Sequence, residues 1–443
     1  MKKYIITYLI SLSCLFPVGE AGAVFLLIAP GAGAAGVGEA QVAKADDAYA
    51  SFYNPAGLGF INSTELAAMH VNWLPNLADD IYYEYLGYSM PIDGLGTLGG
   101  NFVFLNLGEQ LETDELGNPG DTFKSYMWAL TNSFGTMVSD NSSVGISFKF
   151  FQQKLADSGT GSGEEGDGSS TDFAFDVGYL GNFNFMRLGL SISNIGPKID
   201  FIDADQADPA PTNMKLGIFS EVYNDGYNKI NVLFDMNKML VTRYQPMDWD
   251  GDGLAGGWDE NGNRLYDGGQ VNPDGAYNSS GQQERGSTTG TSHFDEPFYK
   301  SIFTAWLDDW YFGGDYDYDG NGIIGGYNWN DYDQNGQFDE GETESNPNGL
   351  YSEDGQLEKG TGDDRKFTDE FKSAIYNFGI EYWYTENFAL RAGYIYDYEG
   401  DIKNPTFGAG VRFAQYGFDF GYTAGEQGHP RANTMFFSVT LGI

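Results

Sequence analysis

Cysteine is nearly absent from this chain, basic residues are scarce, and no stretch stays apolar for long. The single cysteine, Cys14, lies inside an N-terminal apolar segment. A chain that sheds that segment has no thiol, no disulfide and no cysteine-based site. Only three histidines occur, His70, His293 and His429, and none stands at a spacing that suggests a zinc site or a nucleophilic triad. Lysine and arginine number 23 against 63 acidic residues, a formal charge of −40. Such a field repels phosphate and excludes nucleic acid as a partner held by general electrostatics. No phosphate-binding loop or dinucleotide fingerprint is present. Paired carboxylates arise by chance in so acidic a composition, so they nominate no glycosidase. The sequence therefore offers no catalytic residues and reads as a non-enzyme. Beyond the first residues no segment supplies 18 clean apolar positions, so any membrane span must be made of strands.

The first 23 residues have the layout of a secretory leader. Lys2 and Lys3 form a basic end, Ile5 to Phe16 an apolar run, and Ala21-Gly22-Ala23 a small-residue cleavage site before Val24. Ser11 stands where a lipidation box puts leucine, three residues before Cys14, so the leader reads as unlipidated.

What is abundant is glycine, 62 residues, and aromatic side chains, 16% of the chain. Both suit strands, tight turns and interfacial girdles. The chain ends on a two-residue period. Met435, Phe437, Val439, Leu441 and Ile443 share one face, and Phe436, Ser438, Thr440 and Gly442 the other. Phe388, Leu390, Ala392, Tyr394 and Tyr396 repeat the pattern against Arg391, Gly393 and Asp397. A strand of this kind needs two solvents, which a soluble sandwich or a transmembrane barrel can supply. Strand-like windows occur at 64–73, 81–90, 96–107, 123–133, 143–154, 171–180, 185–196, 212–223, 228–240, 370–383, 386–398, 405–414, 416–423 and 434–443. The connections after even-numbered windows are mostly short and those after odd-numbered ones mostly longer, such as 108–121, 156–170, 197–210 and 241–369. Outer-membrane barrels show this asymmetry, with short periplasmic turns and long external loops. The expected fold is an all-β, antiparallel transmembrane barrel of about 14 strands in the bacterial outer membrane, facing its lipid. The last strand should pair with the first to remove the sheet edge. His70 then reads as a lumen or wall residue.

The expected organisation is a leader (1–23), an N-terminal plug or a short periplasmic tail (24–60), barrel strands one to nine (61–240), an acidic external insert (241–369) and strands ten to fourteen (370–443). The segment before the first strand contains a small-residue run from Ala29 to Ala40, the pair Asp46-Asp47, and Asn54-Pro55-Ala56-Gly57-Leu58. That order resembles the opening of the PorV/PorQ family, which is itself similar to FadL-type outer-membrane transporters. The resemblance covers about 35 residues. It implies a fourteen-stranded barrel with an N-terminal plug. It also implies a role in type IX secretion, in which a shuttle accepts the C-terminal domains of secreted cargo at a translocon. FadL-like members instead pass hydrophobic molecules. The long insert departs from both patterns.

Residues 241–370 hold 28 acidic and 7 basic residues, about half of the net charge. Asp331, Asp333, Asn335, Gly336, Gln337, Asp339 and Glu342 follow the spacing of an EF-hand-type calcium loop. Hard oxygens at positions 1, 3, 5, 9 and 12 and a backbone carbonyl at 7 converge on one point, and glycine at 6 permits the turn. Asp248, Asp250, Asp252, Gly253 and Asp259 give a second loop, closed by aspartate, and Asp317, Asp319, Asn321 and Gly322 a third, with Asn328 at the closing position. The competing reading is a solvated acidic segment whose Asp, Asn and Gly merely form turns. With calcium as cofactor, the insert would be an ordered external cap with Trp306, Trp310, Tyr311 and Trp329 as a small core or contact surface. Three functions are consistent with these features: a secretion component, a channel for hydrophobic solutes, and a secreted or surface calcium-binding protein.

Overall fold

The computed structural model describes residues 21–113, 119–156, 168–200, 207–240, 243–244, 294–295, 298–306, 371–398, 400–425 and 431–443. The chain divides into two units. The smaller holds residues 1–20 and 241–373. Its described parts are an antiparallel pair, Arg243–Tyr244 with Phe294–Asp295, and a helix, Phe298–Thr304. Residues 1–20 of the expected leader, the three calcium-type loops, His293, His429, Trp310, Tyr311 and Trp329 lie outside the described residues.

The larger unit, Ala21–Leu240 with Ala374–Ile443, is a closed barrel of fourteen antiparallel strands. They are β1 (Glu65–Asn72), β2 (Tyr82–Ile92), β3 (Gly96–Thr113), β4 (Pro119–Ser139), β5 (Ser142–Lys154), β6 (Ser169–Phe183), β7 (Met186–Ile195), β8 (Asn213–Asn224), β9 (Asn228–Met239), β10 (Ile375–Tyr384), β11 (Phe388–Asp397), β12 (Ile402–Phe413), β13 (Tyr416–Thr423) and β14 (Thr434–Gly442). Each strand pairs with its neighbours in sequence. β9 pairs with β10 across the whole 241–373 excursion, from Asn228↔Tyr384 to Asn237↔Ile375. β14 closes on β1, from Glu65↔Gly442 to Val71↔Phe436. All fourteen windows are strands, and the terminal strand has the expected partner.

The wall shows why a two-residue period suffices. On β14, Met435, Phe437 and Val439 are 42–55% exposed on the outer face, whereas Phe436 and Ser438 are 3% or less. Ile146, Phe148 and Phe150 on β5 and Phe378 and Ile380 on β10 continue the outer apolar surface. Inside lie Asn101, Ser133, Ser147, Lys149, Asp176, Asp235, Asn377, Glu381 and Arg391, all buried. A soluble sandwich buries its apolar rows against each other. This molecule turns them outward, as a barrel in lipid must. His70 is on the outer face of the wall, its Nδ1 2.8 Å from Glu84 Oε1.

The connections at one end have two or three residues: 93–95, 140–141, 184–185, 225–227, 385–387 and 414–415. In the 225–227 turn, Asp225 accepts the backbone N–H groups of Tyr227 (2.9 Å) and Asn228 (2.6 Å), a side-chain mimic of a backbone turn. At the other end most connections are longer. The expected loop at 108–121 is mostly ladder. β3 and β4 pair out to Thr113↔Pro119, with register shifts after Asn106 and Leu111. Gly108, at φ +79°, takes the first shift, and Asp80 Oδ2 accepts the Glu109 amide at 3.2 Å. Composition alone suggested a loop because a bulge needs the same glycine that a loop does.

Candidate functional site

Residues 31–60 run along the inner wall of the barrel, and the wall is shaped to receive them. Asn54 is fully buried. Its Oδ1 accepts the Ala56 amide (3.1 Å), capping the 3₁₀ turn Pro55–Phe60. Its Nδ2 donates to the carbonyls of Val42 and of Tyr179 on β6, both at 3.1 Å. One side chain thus ties its own turn, the preceding part of the segment and the wall. Pro55 begins the turn, where a missing N–H costs nothing. The Ala56 carbonyl accepts from Ser143 Oγ on β5 at 2.6 Å.

Beneath this turn, Gly135, Gly145 and Gly178 face one another across β4, β5 and β6. A Cβ at Gly145 would lie 2.2 Å from the Pro55 carbonyl carbon, and one at Gly178 2.1 Å from Asn54 Oδ1. Ordinary contact begins near 3.4 Å, so only glycine admits the backbone this closely. A second seat lies across the lumen. Gly379 and Gly393 face each other on β10 and β11, and a Cβ at Gly393 would lie 2.2 Å from the Gly38 nitrogen. Gly38 donates to Thr406 Oγ1 at 2.9 Å, and its carbonyl accepts from Asn377 Nδ2 at 2.5 Å.

Polar wall residues complete the attachment. Asp235 Oδ2 accepts the amides of Gln41 (2.6 Å) and Val42 (2.9 Å). Ser438 Oγ accepts the Ala32 amide at 2.8 Å. Glu381, fully buried, accepts from Arg391 Nε (2.7 Å), Lys44 Nζ (3.2 Å) and Asn231 Nδ2 (3.1 Å). Arg391 Nη1 reaches Asp419 (2.7 Å), whose other oxygen takes Arg412 Nη2 (2.8 Å). Both guanidinium groups lie 5.4 Å from the Trp383 ring. Four of these five charges belong to consecutive strands β10 to β13, and the fifth, Lys44, belongs to the segment. Burial acts to lower the Lys44 pKa, but the Glu381, Asp46 and Asp47 carboxylates together outweigh it and the value is raised. Asp47 is pushed up to about 7, first by burial and then by the Glu65 and Asp46 carboxylates.

Toward the long-loop end the lumen contains apolar side chains. Phe25 and Leu26 cluster with Val71, Tyr83, Val103, Leu105, Phe151 and Phe436, and the Phe25 and Phe151 rings meet edge-on at 6.3 Å.

Asn54, Pro55, Ala56 and Gly57, the sequence-marked motif, are therefore brought together as a packing device. A Cβ at Gly57 would sit 2.1 Å from the Ala45 carbonyl oxygen. The candidate metal ligands of the acidic insert fall outside the described residues. Among the described residues no group of three His, Cys, Asp or Glu side chains is placed to hold a metal ion. Sequence reasoning missed Lys44, Asp235, Glu381, Arg412 and Asp419 as site residues. The available signal was the recurrence of ionisable residues at inward positions of neighbouring strands.

A family model described as "Type IX secretion system protein PorV" matches residues 18–246, just over half of the chain. The chain belongs to the PorV family. This PorV-family barrel is accordingly an outer-membrane protein, which agrees with its apolar outer wall. Among solved structures it is similar to the Ralstonia pickettii toluene transporter TbuX, with 12% identity, a TM-score of 0.41, and 95% of this chain and 98% of that chain covered. It is also similar to the Pseudomonas putida toluene transporter TodX (10% identity, TM-score 0.43, 92% and 98% covered) and to a Pseudomonas aeruginosa FadL homologue (11%, 0.39, 96% and 99%). At these scores the likenesses carry no argument about activity. No curated protein matches the chain.

Proposed function

We propose that this PorV-family barrel is a non-enzymatic shuttle or accessory component of type IX secretion that works with its lumen closed. The observation that carries this reading is the seat of residues 31–60. Backbone on facing glycines, buried side-chain acceptors and an ion-paired lysine hold the segment as a plug rather than a loose tail. A conduit would need that segment to leave, whereas a docking protein needs only its rim. The partners are then the C-terminal domains of secreted cargo and a translocon in the same membrane. The insert at 241–369 serves as an external cap, with calcium at 331–342, 248–259 and 317–328 offsetting its negative charge.

Two experiments test these two parts. Folded cargo C-terminal domains should be captured by the detergent-solubilised protein, and no enrichment over an unrelated folded domain refutes the docking role. Limited proteolysis should cut the insert faster after chelation, and equal cleavage with and without calcium refutes the cap. A second reading, passage of hydrophobic molecules, is favoured by the apolar cluster around Phe25 and Phe151. Uptake of an apolar dye into vesicles that depends on this protein would support it.

A further inference from the structure

The small-residue pattern at the end of the leader admits two cleavage positions. Ala21 and Ala23 satisfy the need for small side chains three and one residues before the cut, and so do Gly19 and Ala21. The first releases a chain beginning at Val24, the second one beginning at Gly22. Pattern alone favours neither strongly, but the barrel distinguishes them.

Residues 22 and 23 are parts of the fold. The Gly22 amide donates to the Pro209 carbonyl at 2.9 Å. That carbonyl belongs to the β7–β8 connection, where Ile199 and Asp208 exchange backbone hydrogen bonds of 2.7 and 2.9 Å. Gly22 thus extends a small backbone ladder at the long-loop end. A Cβ at residue 22 would lie 3.3 Å from Ile199 Cβ and Cδ1, tighter than ordinary contact, so glycine suits the position. Ala23 is 4% exposed. Its carbonyl accepts the Leu26 amide at 3.0 Å and starts the 3₁₀ turn Val24–Leu27. That turn delivers Phe25 and Leu26 into the apolar cluster.

A cut after Ala23 would remove the Gly22 bond and the acceptor that starts the turn. It would also discard the Ala23 side chain, which packs in the apolar cluster. A cut after Ala21 keeps all three features. It converts the Gly22 amide into an α-ammonium that already faces a carbonyl acceptor, and a charged donor strengthens such a bond.

We infer that the leader is removed at the Ala21–Gly22 bond and that the mature barrel begins at Gly22. A signal peptidase adds one water across that bond. The acyl carbon of Ala21 takes the hydroxyl and departs with the leader as a carboxylate. The Gly22 nitrogen takes the other proton of the water and the proton shed by the new carboxyl group, and remains as the ammonium.

The test is N-terminal sequencing of the protein extracted from outer membranes. The expected reading is Gly-Ala-Val-Phe. Val-Phe-Leu-Leu, any other start, or a chain still carrying Met1 overturns the inference, and the last also overturns the leader on which it rests. A processing assay on exported Ala23→Leu supplies an arm independent of folding. Leucine just before the scissile bond blocks a cut after residue 23 but is tolerated two residues beyond a cut after Ala21. Normal processing at Gly22 is expected, and accumulation of the unprocessed form overturns the inference.

Discussion

Replacing Gly145 by alanine should release the N-terminal segment from the inner wall without unfolding the barrel. The new methyl carbon would lie 2.2 Å from the Pro55 carbonyl carbon, 2.3 Å from its oxygen and 2.4 Å from the Ala56 nitrogen. More than 1 Å of separation must be found. β5 cannot retreat, because its ladders to β4 and β6 run along most of its length. The segment must move instead. Its movement strains the three Asn54 bonds and the Ser143–Ala56 bond. Overpacking costs about 1–3 kcal/mol, and each lost hydrogen bond adds about 1 kcal/mol. Losing two of the four gives about 3–5 kcal/mol in all, at least a hundredfold in the seating equilibrium at about 1.4 kcal/mol per decade. Hydrogen exchange in micelles reads this directly at the amides of Gln41, Val42 and Ala56. Exchange there should accelerate by about two orders of magnitude while the strand amides of β10 to β13 stay protected. Ile146→Ala, next along the strand but facing outward, should change nothing in the segment. Unchanged exchange in Gly145→Ala would refute the tight seat.

Other outcomes follow from the same contacts. Glu381→Leu leaves Lys44 and Arg391 without their shared buried carboxylate, and should lower barrel stability by about 3–5 kcal/mol in urea titrations, whereas Lys44→Met should loosen mainly the segment. Asp47, raised to about 7, holds its proton in the folded state at pH values where the unfolded chain has lost it. Its contribution is complete below the ordinary carboxylate pKa and is lost as pH rises through about 7. Segment exchange should therefore be slower at pH 5.5 than at pH 8 after correction for intrinsic rates, and Asp47→Asn should remove that difference. Val439→Lys, on the outer face of the closing strand, should destabilise the barrel in bilayers by up to about 2–4 kcal/mol, seen as a lower midpoint for loss of heat-modifiable migration.

The barrel was legible because lipid and lumen impose opposite demands on successive residues. Phe437 and Ser438 are adjacent in sequence yet need different surroundings, and such pairs recur as Phe148 and Lys149, Ile380 and Glu381, and Leu390 and Arg391. The arm of β3 and β4 beyond Asn106 was not legible. Gly108 marks a bulge as readily as a loop, and the Glu109–Lys124 ion pair at 3.3 Å that joins the strands shows only once they are paired. The motif at Asn54 was visible as a family mark, but its purpose was not. The glycines that need it, Gly135, Gly145 and Gly178, lie on three later strands and look like ordinary strand glycines there. The ion knot was hidden for the same reason. Lys44 and Glu381 are 337 residues apart, and only closure of the sheet brings them together. Charge on the inward face, as at Arg391, announces a polar lumen without naming its partner.

The central claim is that the barrel works closed by its own N-terminal segment. Single-channel recording in planar bilayers tests it most directly. Wild-type protein should insert and show no steady conductance, and Gly145→Ala or a chain lacking residues 24–60 should open stable channels. A steadily conducting wild-type barrel would contradict the account.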